Sequence, residues 1–223
     1  MPQPEPNSLS FDDQLQALVG QPVGPGGPSI APDPVNQPMI RHWAAAFEDA
    51  NPVYTEASAA RASRFGEIVA PPLMLQTWTM ATPMITGIRE RGGSPVEGGG
   101  AEVLRLLDGA GFVGTLATNS EFEIVRYLKI GERVSATTVV ESISAEKRTR
   151  LGPGRFLTWV TTYVDDAGEV IGRQLFRILK FRPELPGPQG QTGNVSDAVR
   201  SGRSADSGGA GPDRPGPQGQ EGR

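Results

Sequence analysis

Five stretches rich in β-branched and aromatic residues fill the second half of this chain and constrain its fold more than any other feature. A turn signal, Asp165-Asp166-Ala167-Gly168-Glu169, separates the last two of them. Such runs suit a pleated, half-buried sheet, and a Gly-containing turn between two of them is typical of an antiparallel hairpin. The sequence therefore predicts consecutive antiparallel strands over residues 116–128, 133–143, 145–151, 156–164 and 170–181, with a Gly152-Pro153-Gly154 turn after the third.

Helical patterns precede these strands. Residues 38–47 place apolar side chains at helical spacing, and Asn36 is a suitable N-cap for that helix. Pro72 is placed to begin a buried helix over the apolar residues 73–84, because proline is tolerated in a first helical turn. Shorter helices are expected over residues 11–19, over a segment that ends at Ala62, and over 101–107. Helices followed by strands predict an α+β fold, an antiparallel sheet wrapped around one long central helix.

The two ends of the chain differ in composition from its middle. Residues 1–36 pass through the Pro- and Gly-rich run 21–28, so we expect an N-terminal extension that is partly loop. Residues 184–223 contain almost no large apolar side chain and cannot bury enough surface to offset their chain entropy. The sequence predicts a folded domain over 37–183 and a disordered Gly/Pro-rich tail over 184–223. That tail is either low-complexity sequence or a tether for another domain.

Charge and cysteine content exclude several kinds of function. The formal net charge is −4 with no strongly basic run, which argues against a nucleic-acid partner. The chain contains no cysteine, which excludes disulfides, thiolate nucleophiles and Cys-based zinc sites. No signal-peptide pattern opens the sequence, and the apolar stretch 68–80 is too short and too interrupted by proline to cross a bilayer. A cytoplasmic protein without a membrane partner is predicted.

Three short motifs carry a resemblance to a known family. The loop Asp49-Ala50-Asn51-Pro52-Val53-Tyr54 resembles the Asp-x-Asn-Pro-x-His motif of MaoC-like hot-dog hydratases. Ile68-Val69-Ala70-Pro71 resembles the Ile-Val-His-Gly that opens their central helix, and the run 126–134 is similar to their strand-turn-strand element. Over about residues 35–183 the sequence is most similar to one branch, the non-catalytic MaoC-like subunits of heteromeric steroid enoyl-CoA hydratases of bacterial cholesterol side-chain degradation. The resemblance implies a hot-dog fold.

The sequence departs from the family pattern at both positions that carry the chemistry. In the family, an Asp and a His hold a water that adds to the double bond of an acyl-CoA, and a main-chain N–H polarises the thioester carbonyl. Tyr54 stands in place of the His, and a phenol with a pKa of about 10 is a poor general base at neutral pH. Pro71 stands in place of the Gly that supplies the N–H, and proline has none. The resemblance therefore implies that Asp49 and Tyr54 form a degenerate dyad and that this chain holds no catalytic residue.

The motif positions also imply candidate substrate-binding residues. They are Asn51, Tyr54, Ala70, Pro71, Pro72 and Met74. The alternative for Asn51 is ordering of its own loop, and the alternative for Tyr54 and Met74 is packing in the core. No metal site and no bound cofactor are expected, since the CoA thioester is the substrate.

Cationic residues and the single histidine supply the remaining candidates. Arg148 and Arg150 are candidates for contact with CoA phosphates, although alternating charges on an exposed strand face explain them as well. His42 lies on the polar side of the first predicted long helix, seven residues before Asp49. Seven helical residues advance about 10 Å, beyond a hydrogen bond, so we expect His42 to be a surface residue.

Three functions remain open from the sequence. The resemblance implies a non-catalytic, substrate-binding subunit of a heteromeric enoyl-CoA hydratase that acts on a bulky, steroid side-chain enoyl-CoA. Its implied partners are a catalytic hot-dog subunit with an intact Asp/His dyad and a thiolase-like aldolase, the latter held through a zinc-ribbon and OB-type domain on another chain. The alternatives are an autonomous hot-dog acyl-CoA thioesterase or dehydratase that uses Asp49, and a non-enzymatic acyl-CoA-binding assembly protein.

Overall fold

The computed structural model describes residues 9–23, 27–87 and 102–184 of the chain. The α-helices in these ranges are α1 (Phe11–Gln16), α2 (Gln37–Ala46), α3 (Ala57–Ala62) and α4 (Glu102–Gly109), and two 3₁₀ helices cover Pro52–Tyr54 and Pro72–Thr79. The strands are β1 (Ser29–Ile30), β2 (Gly114–Ile124), β3 (Ser135–Ile143), β4 (Lys147–Thr149), β5 (Gly152–Val164) and β6 (Val170–Phe181). The predicted disordered tail lies, from residue 185 onward, outside the described residues.

The strands form one antiparallel sheet in the order β1-β3-β5-β6-β2, with β4 paired to β5. The predicted hairpin joins β5 to β6. Its turn is ordered by Asp165, whose Oδ1 accepts hydrogen bonds at 2.9 Å from the backbone N–H groups of Ala167 and Glu169. Arg126 Nη2 lies 2.6 Å from the other carboxylate oxygen of Asp165 and ties the turn to the end of β2. The prediction of an α+β fold with an antiparallel sheet is confirmed.

The first of two apolar cores lies between α2, the 72–79 helix and one end of the sheet. Asn36 begins α2 as predicted, because its Oδ1 accepts a hydrogen bond from the N–H of Met39 at 3.0 Å. That start directs Ile40 into the core, where it packs in the same cluster as Met74 and Tyr163. Each of the three side chains is at most 2% exposed.

The second core lies at the other end of the sheet, where α1 and α4 pack. Leu15 of α1 and Leu107 of α4 are fully buried in a cluster with Leu157 of β5. Arg155 Nη2 pairs with Asp12 Oδ1 at 2.6 Å and holds α1 in place. Part of the N-terminal extension predicted for residues 1–36 therefore packs against the domain predicted for 37–183.

The long central helix predicted over residues 73–84 is wrong in length and type. The segment forms a 3₁₀ helix that ends at Thr79, and Met80 is extended (ψ 133°). One cause is visible in the sequence. A helix that continued past Thr79 would meet Pro83, whose ring clashes with the carbonyl of residue 79 and which disfavours the α region at Thr82. Residues 80–86 are exposed, with Met80 at 64%.

Smaller differences concern short elements. The predicted Gly152-Pro153-Gly154 turn is wrong, because Gly152 is paired with Thr149 and opens β5. Gly152 has φ +116°, a conformation available to glycine, which moves the turn back to residues 150–151. Strand β1 has two residues, too short for alternation to reveal it. None of the helices in the described ranges has the length and apolarity that a bilayer crossing requires.

Candidate functional site

The loop after α2 carries Asp49 and leads to Tyr54, the two residues predicted to form a degenerate dyad. Glu48 ends the helix with φ +54°, in the left-handed region, and Asp49 N–H donates to the Ala44 carbonyl at 2.8 Å. The Asp49 carboxylate accepts the N–H of Asn51 at 3.1 Å, and Asn51 Oδ1 in turn accepts the N–H of Val53 at 3.2 Å. Both polar side chains thus order their own loop, a common role of Asp and Asn in turns.

Tyr54 lies below this loop, inside the first core. Its side chain is 7% exposed. Burial raises the pKa of the Tyr54 phenol, Tyr127 and Asp49 raise it further, and a hydrogen bond with Asn51 opposes them. The phenol is therefore protonated at neutral pH and does not act as a general base there. Position 54, where the resemblance predicts the histidine of the family motif, therefore holds a protonated phenol.

The segment Ala70-Pro71-Pro72 lies beside this core at the start of the 72–79 helix. Ala70 N–H donates to the Leu128 carbonyl at 2.8 Å, next to an isolated bridge between Val69 and Lys129. The two prolines carry no N–H. No residue of this segment therefore has a backbone donor available for a thioester carbonyl.

The space at this segment is also too small for a reacting group. Pro71, Leu75, Tyr127 and Ile171 line a cavity of about 10 Å³ there. A volume of 10–15 Å³ holds about one water molecule. Pairing between Ala70 and Leu128 and packing of the prolines close this part of the molecule.

The remaining predicted site residues are not all brought together. Tyr54, Ala70 and Met74 share the first core, where Met74 is 1% exposed, so Met74 presents almost no surface in the described structure. Arg148 and Arg150 lie in and beside β4, on an exposed hairpin, and Arg148 Nη2 is 3.5 Å from Glu184 Oε2. Ligand contact by these residues stays a prediction.

Two open cavities adjoin the loop and its neighbours. The first, of about 440 Å³, is lined by Asp49, Arg41 and Thr55 among others. The second, of about 540 Å³, is lined by Arg64, Phe65, Val69, Ile124, Val125, Arg126, Tyr127 and Lys129. Sequence reasoning missed the second cavity, although two of the family motifs, 68–71 and 126–134, supply or adjoin most of its wall. In the described ranges, no three His, Cys, Asp or Glu side chains are grouped so that they could hold a metal ion.

Comparison with known proteins places this geometry in a family. The model of the family described as "FAS1-like, dehydratase domain region" matches residues 26–174. The chain belongs to this family of MaoC-like hot-dog dehydratases. A crystal structure of the ChsH1-ChsH2 complex from Mycobacterium tuberculosis is similar to this MaoC-like chain with a TM-score of 0.65 and 34% identity, over 79% of this chain and 94% of that one. The family resemblance and the hot-dog fold predicted from the sequence are confirmed.

Two further relatives of this MaoC-like chain have names that describe an activity. A "probable enoyl-CoA hydratase alpha subunit" of Thermomonospora curvata is 46% identical over 174 residues, which are 78% of this chain and 53% of that protein. The "3-oxo-4,17-pregnadiene-20-carboxyl-CoA hydratase alpha subunit" of Mycobacterium tuberculosis is 41% identical over 172 residues, 76% of this chain and 52% of that protein. The chain thus spans about half the length of these relatives.

Proposed function

We propose that this chain is the non-catalytic, substrate-binding subunit of a heteromeric enoyl-CoA hydratase that acts on a bulky enoyl-CoA of the steroid side-chain class. The names of its relatives, which are alpha subunits of CoA-thioester hydratases, support the reaction class. The observation that carries the non-catalytic role is the state of the two catalytic positions. A buried phenol stands where the base belongs, and the segment that should polarise the carbonyl has no available N–H.

Hydration of an enoyl thioester requires both missing functions. A base must take a proton from water as its oxygen attacks the β-carbon, and a donor must stabilise the negative charge that develops on the thioester oxygen. The raised pKa of Tyr54 keeps its proton on the phenol. Ala70 N–H is already bonded to Leu128 O. A catalytic hot-dog partner with an intact Asp/His dyad would provide both functions.

We propose that the catalytic partner binds at the free edge of the sheet. Strand β2 pairs only with β6 in the described structure, and its outer edge carries no further strand. Most of its residues are exposed, and Leu116 is 48% exposed. An unpaired edge of eleven residues is a template for a strand of another chain.

The shortened central segment is the observation that favours a substrate with a bulky acyl group. Because the 3₁₀ helix stops at Thr79, residues 80–87 do not extend it into a long central helix. Leu73, Met80 and Ile85 are between 54% and 70% exposed and offer apolar surface to an acyl chain or to the partner. The thiolase-like aldolase partner and the cytoplasmic location stay predictions.

One observation favours a second candidate, an autonomous hot-dog thioesterase or dehydratase. Asp49 is half-buried and lines the open cavity of about 440 Å³, so a water beside its carboxylate is sterically allowed. Against it, the same carboxylate already accepts the N–H of Asn51. Assays distinguish the two candidates.

The test is a comparison of the chain alone with the chain mixed with a hot-dog hydratase chain that has an intact Asp/His dyad. Hydration and thioester hydrolysis are measured with a steroid side-chain enoyl-CoA and with a short enoyl-CoA. The proposal predicts no turnover by the chain alone and hydration of the bulky substrate by the mixture. Turnover by the chain alone that disappears in Asp49→Asn would establish the second candidate instead. Tight acyl-CoA binding with no activity in any mixture would indicate a binding protein.

A further inference from the structure

The cavity of about 540 Å³ has a lining unlike the rest of this acidic chain. Three of its eight lining residues, Arg64, Arg126 and Lys129, are cationic, and none is acidic. The whole chain carries a formal net charge of −4. Because Arg126 and Lys129 are paired with carboxylates outside the lining, the attraction of this concave surface for anions depends mainly on Arg64.

Two aromatic rings form the apolar part of the lining. The rings of Phe65 and Tyr127 have centroids 4.7 Å apart and planes at 26°. Both side chains are partly exposed. Aromatic side chains that line a binding surface can stack on a planar base, and such stacking contributes about 1–3 kcal/mol per base.

Arg64 is the cation that is available to a ligand. Its guanidinium carbon lies 4.8 Å from the Phe65 centroid and 5.9 Å from that of Tyr127, and no carboxylate pairs with it within the described residues. In contrast, Arg126 is neutralised by Glu132 and Asp165. Contact with the rings fixes the place of the Arg64 charge without neutralising it, which suits recognition of a phosphate.

Lys129 is a second, weaker candidate. Its Nζ lies 2.7 Å from Glu67 Oε1, and both side chains are 51% exposed. An exposed ion pair of this kind contributes little to stability, so a phosphate can compete with Glu67 for Lys129.

The cavity also adjoins the closed segment Ala70-Pro71-Pro72. Its lining residues Ile124, Arg126 and Tyr127 also line the small cavity at Ala70-Pro71-Pro72. Val69, in its wall, directly precedes that segment. The two cavities therefore share one wall.

We propose that this cavity binds the nucleotide half of the acyl-CoA, with the adenine against Phe65 and Tyr127 and the phosphates at Arg64 and Lys129. The inference rests on the proposed function, since CoA is the carrier of that substrate. It moves the phosphate contact from the β4 hairpin, where Arg148 and Arg150 were predicted to make it, to the segment that precedes Ala70.

The experiment uses Arg64→Ala in the full chain reconstituted with its catalytic partner. One substrate is the enoyl-CoA, and the other is the same acyl group on pantetheine, which lacks the nucleotide. Loss of one charge-assisted contact raises the KM for the enoyl-CoA about tenfold, with kcat unchanged. The KM for the pantetheine thioester is unchanged. Arg64→Lys, which keeps the charge, restores part of the loss.

Two further variants complete the design. Arg61→Ala is the matched control, because Arg61 is exposed on α3 and its Nε donates only to the Ala57 carbonyl within the described structure. Its expected KM equals that of the wild type. Arg148→Ala tests the rival site. An increase of KM in Arg148→Ala but not in Arg64→Ala, or an equal loss on both substrates in Arg64→Ala, would overturn the inference.

Direct binding separates this inference from the proposed function. CoA and pantetheine are titrated calorimetrically into the isolated chain and into Arg64→Ala, whose folding is checked by its thermal transition. The inference predicts that CoA binds more tightly than pantetheine and that only CoA loses affinity in the variant. Equal CoA affinities of the wild type and Arg64→Ala, or no CoA binding by the wild type, would overturn the inference. An inactive mixture with normal CoA binding would overturn the proposed hydratase function alone.

Discussion

The predicted reaction centre consists of Asp49, Tyr54 and the segment Ala70-Pro71-Pro72. It differs from the neighbouring cavity around Arg64 in how its polar groups are used. At the reaction centre, the Asp49 carboxylate bonds the Asn51 N–H and the Ala70 N–H bonds Leu128 O. At the cavity, Arg64 has no carboxylate partner in the described structure, and the Phe65 ring is partly exposed. The first region has these polar groups bonded internally, whereas the second leaves the Arg64 charge without a carboxylate partner in the described structure.

Under the proposed function, this difference explains how a hot-dog chain can lose catalysis and retain binding. Catalysis needs an unoccupied donor and a base with a suitable pKa, and both are removed when those groups pack into the core. Binding needs exposed complementary groups, and we propose that the cavity next to the core supplies them. Three predictions test the contrast, beginning with the largest expected effect.

Met74→Ala tests whether the residues beside the predicted reaction centre belong to the folded core. Met74 is 1% exposed, and removal of a buried Met side chain lowers the free energy of unfolding by about 2–5 kcal/mol. Leu73→Ala is the matched control, because the adjacent Leu73 is 54% exposed and its truncation costs less than about 1 kcal/mol. Urea unfolding measures the free energy of unfolding of both variants. Equal effects of the two substitutions would show that Met74 belongs to a binding surface instead.

The ionisation of Tyr54 and Tyr163 tests how well the first core excludes water. Burial raises the pKa of Tyr163 to about 12, and burial first, then Tyr127 and Asp49, raise that of Tyr54 above its ordinary value. Because the folded pKa exceeds the unfolded value of about 10, stability is intact below pH 10 and is lost as the pH rises toward 12.

Ultraviolet titration of the wild type against Tyr163→Phe and Tyr54→Phe measures these ionisations. The Tyr163→Phe variant should lack the absorbance change near pH 12. The Tyr54 phenol should remain protonated at pH 7 to 9. Ionisation of Tyr54 near neutral pH would make it a candidate base and remove the contrast between the two regions.

The cavity side gives the smallest predicted effect, a gain of affinity. Glu67→Gln removes the carboxylate that pairs with Lys129 and leaves that charge to the ligand. CoA affinity of the isolated chain should increase about two- to threefold, about 0.5 kcal/mol, as measured by calorimetry. Glu184→Gln is the control, since it releases Arg148 at the rival site and should leave the affinity unchanged. A gain of CoA affinity in Glu184→Gln but not in Glu67→Gln would place the phosphates at β4.

Local sequence signals accounted for the hairpin and for α2. The turn between β5 and β6 and the Asn36 cap both depend on contacts between residues at most four apart in the chain, so their motifs reveal them. The central helix could not be predicted from apolarity alone. The same apolar residues can form a 3₁₀ helix, and the effect of Pro83 on the length of the helix outweighed their pattern.

The departures from the family motif were visible in the sequence, but the cavity was not. Tyr54 and Pro71 differ from the motif in residue type, which a sequence records directly. The cavity joins Phe65 to Tyr127, two residues far apart in the chain, whose segments meet at the isolated bridge between Val69 and Lys129. Such long-range register is set by the whole sheet and not by local residues.

The most direct test of the central claim is the kcat of the reconstituted complex with Asp49→Asn in this chain. The substitution keeps an oxygen that can accept the Asn51 N–H, so the loop fold is retained. We predict that kcat stays within about threefold of the wild type, whereas the same Asp→Asn change in the catalytic partner's dyad lowers it by about 10²–10⁴-fold. A loss of that size from Asp49→Asn would contradict the claim that this chain contributes binding and not chemistry.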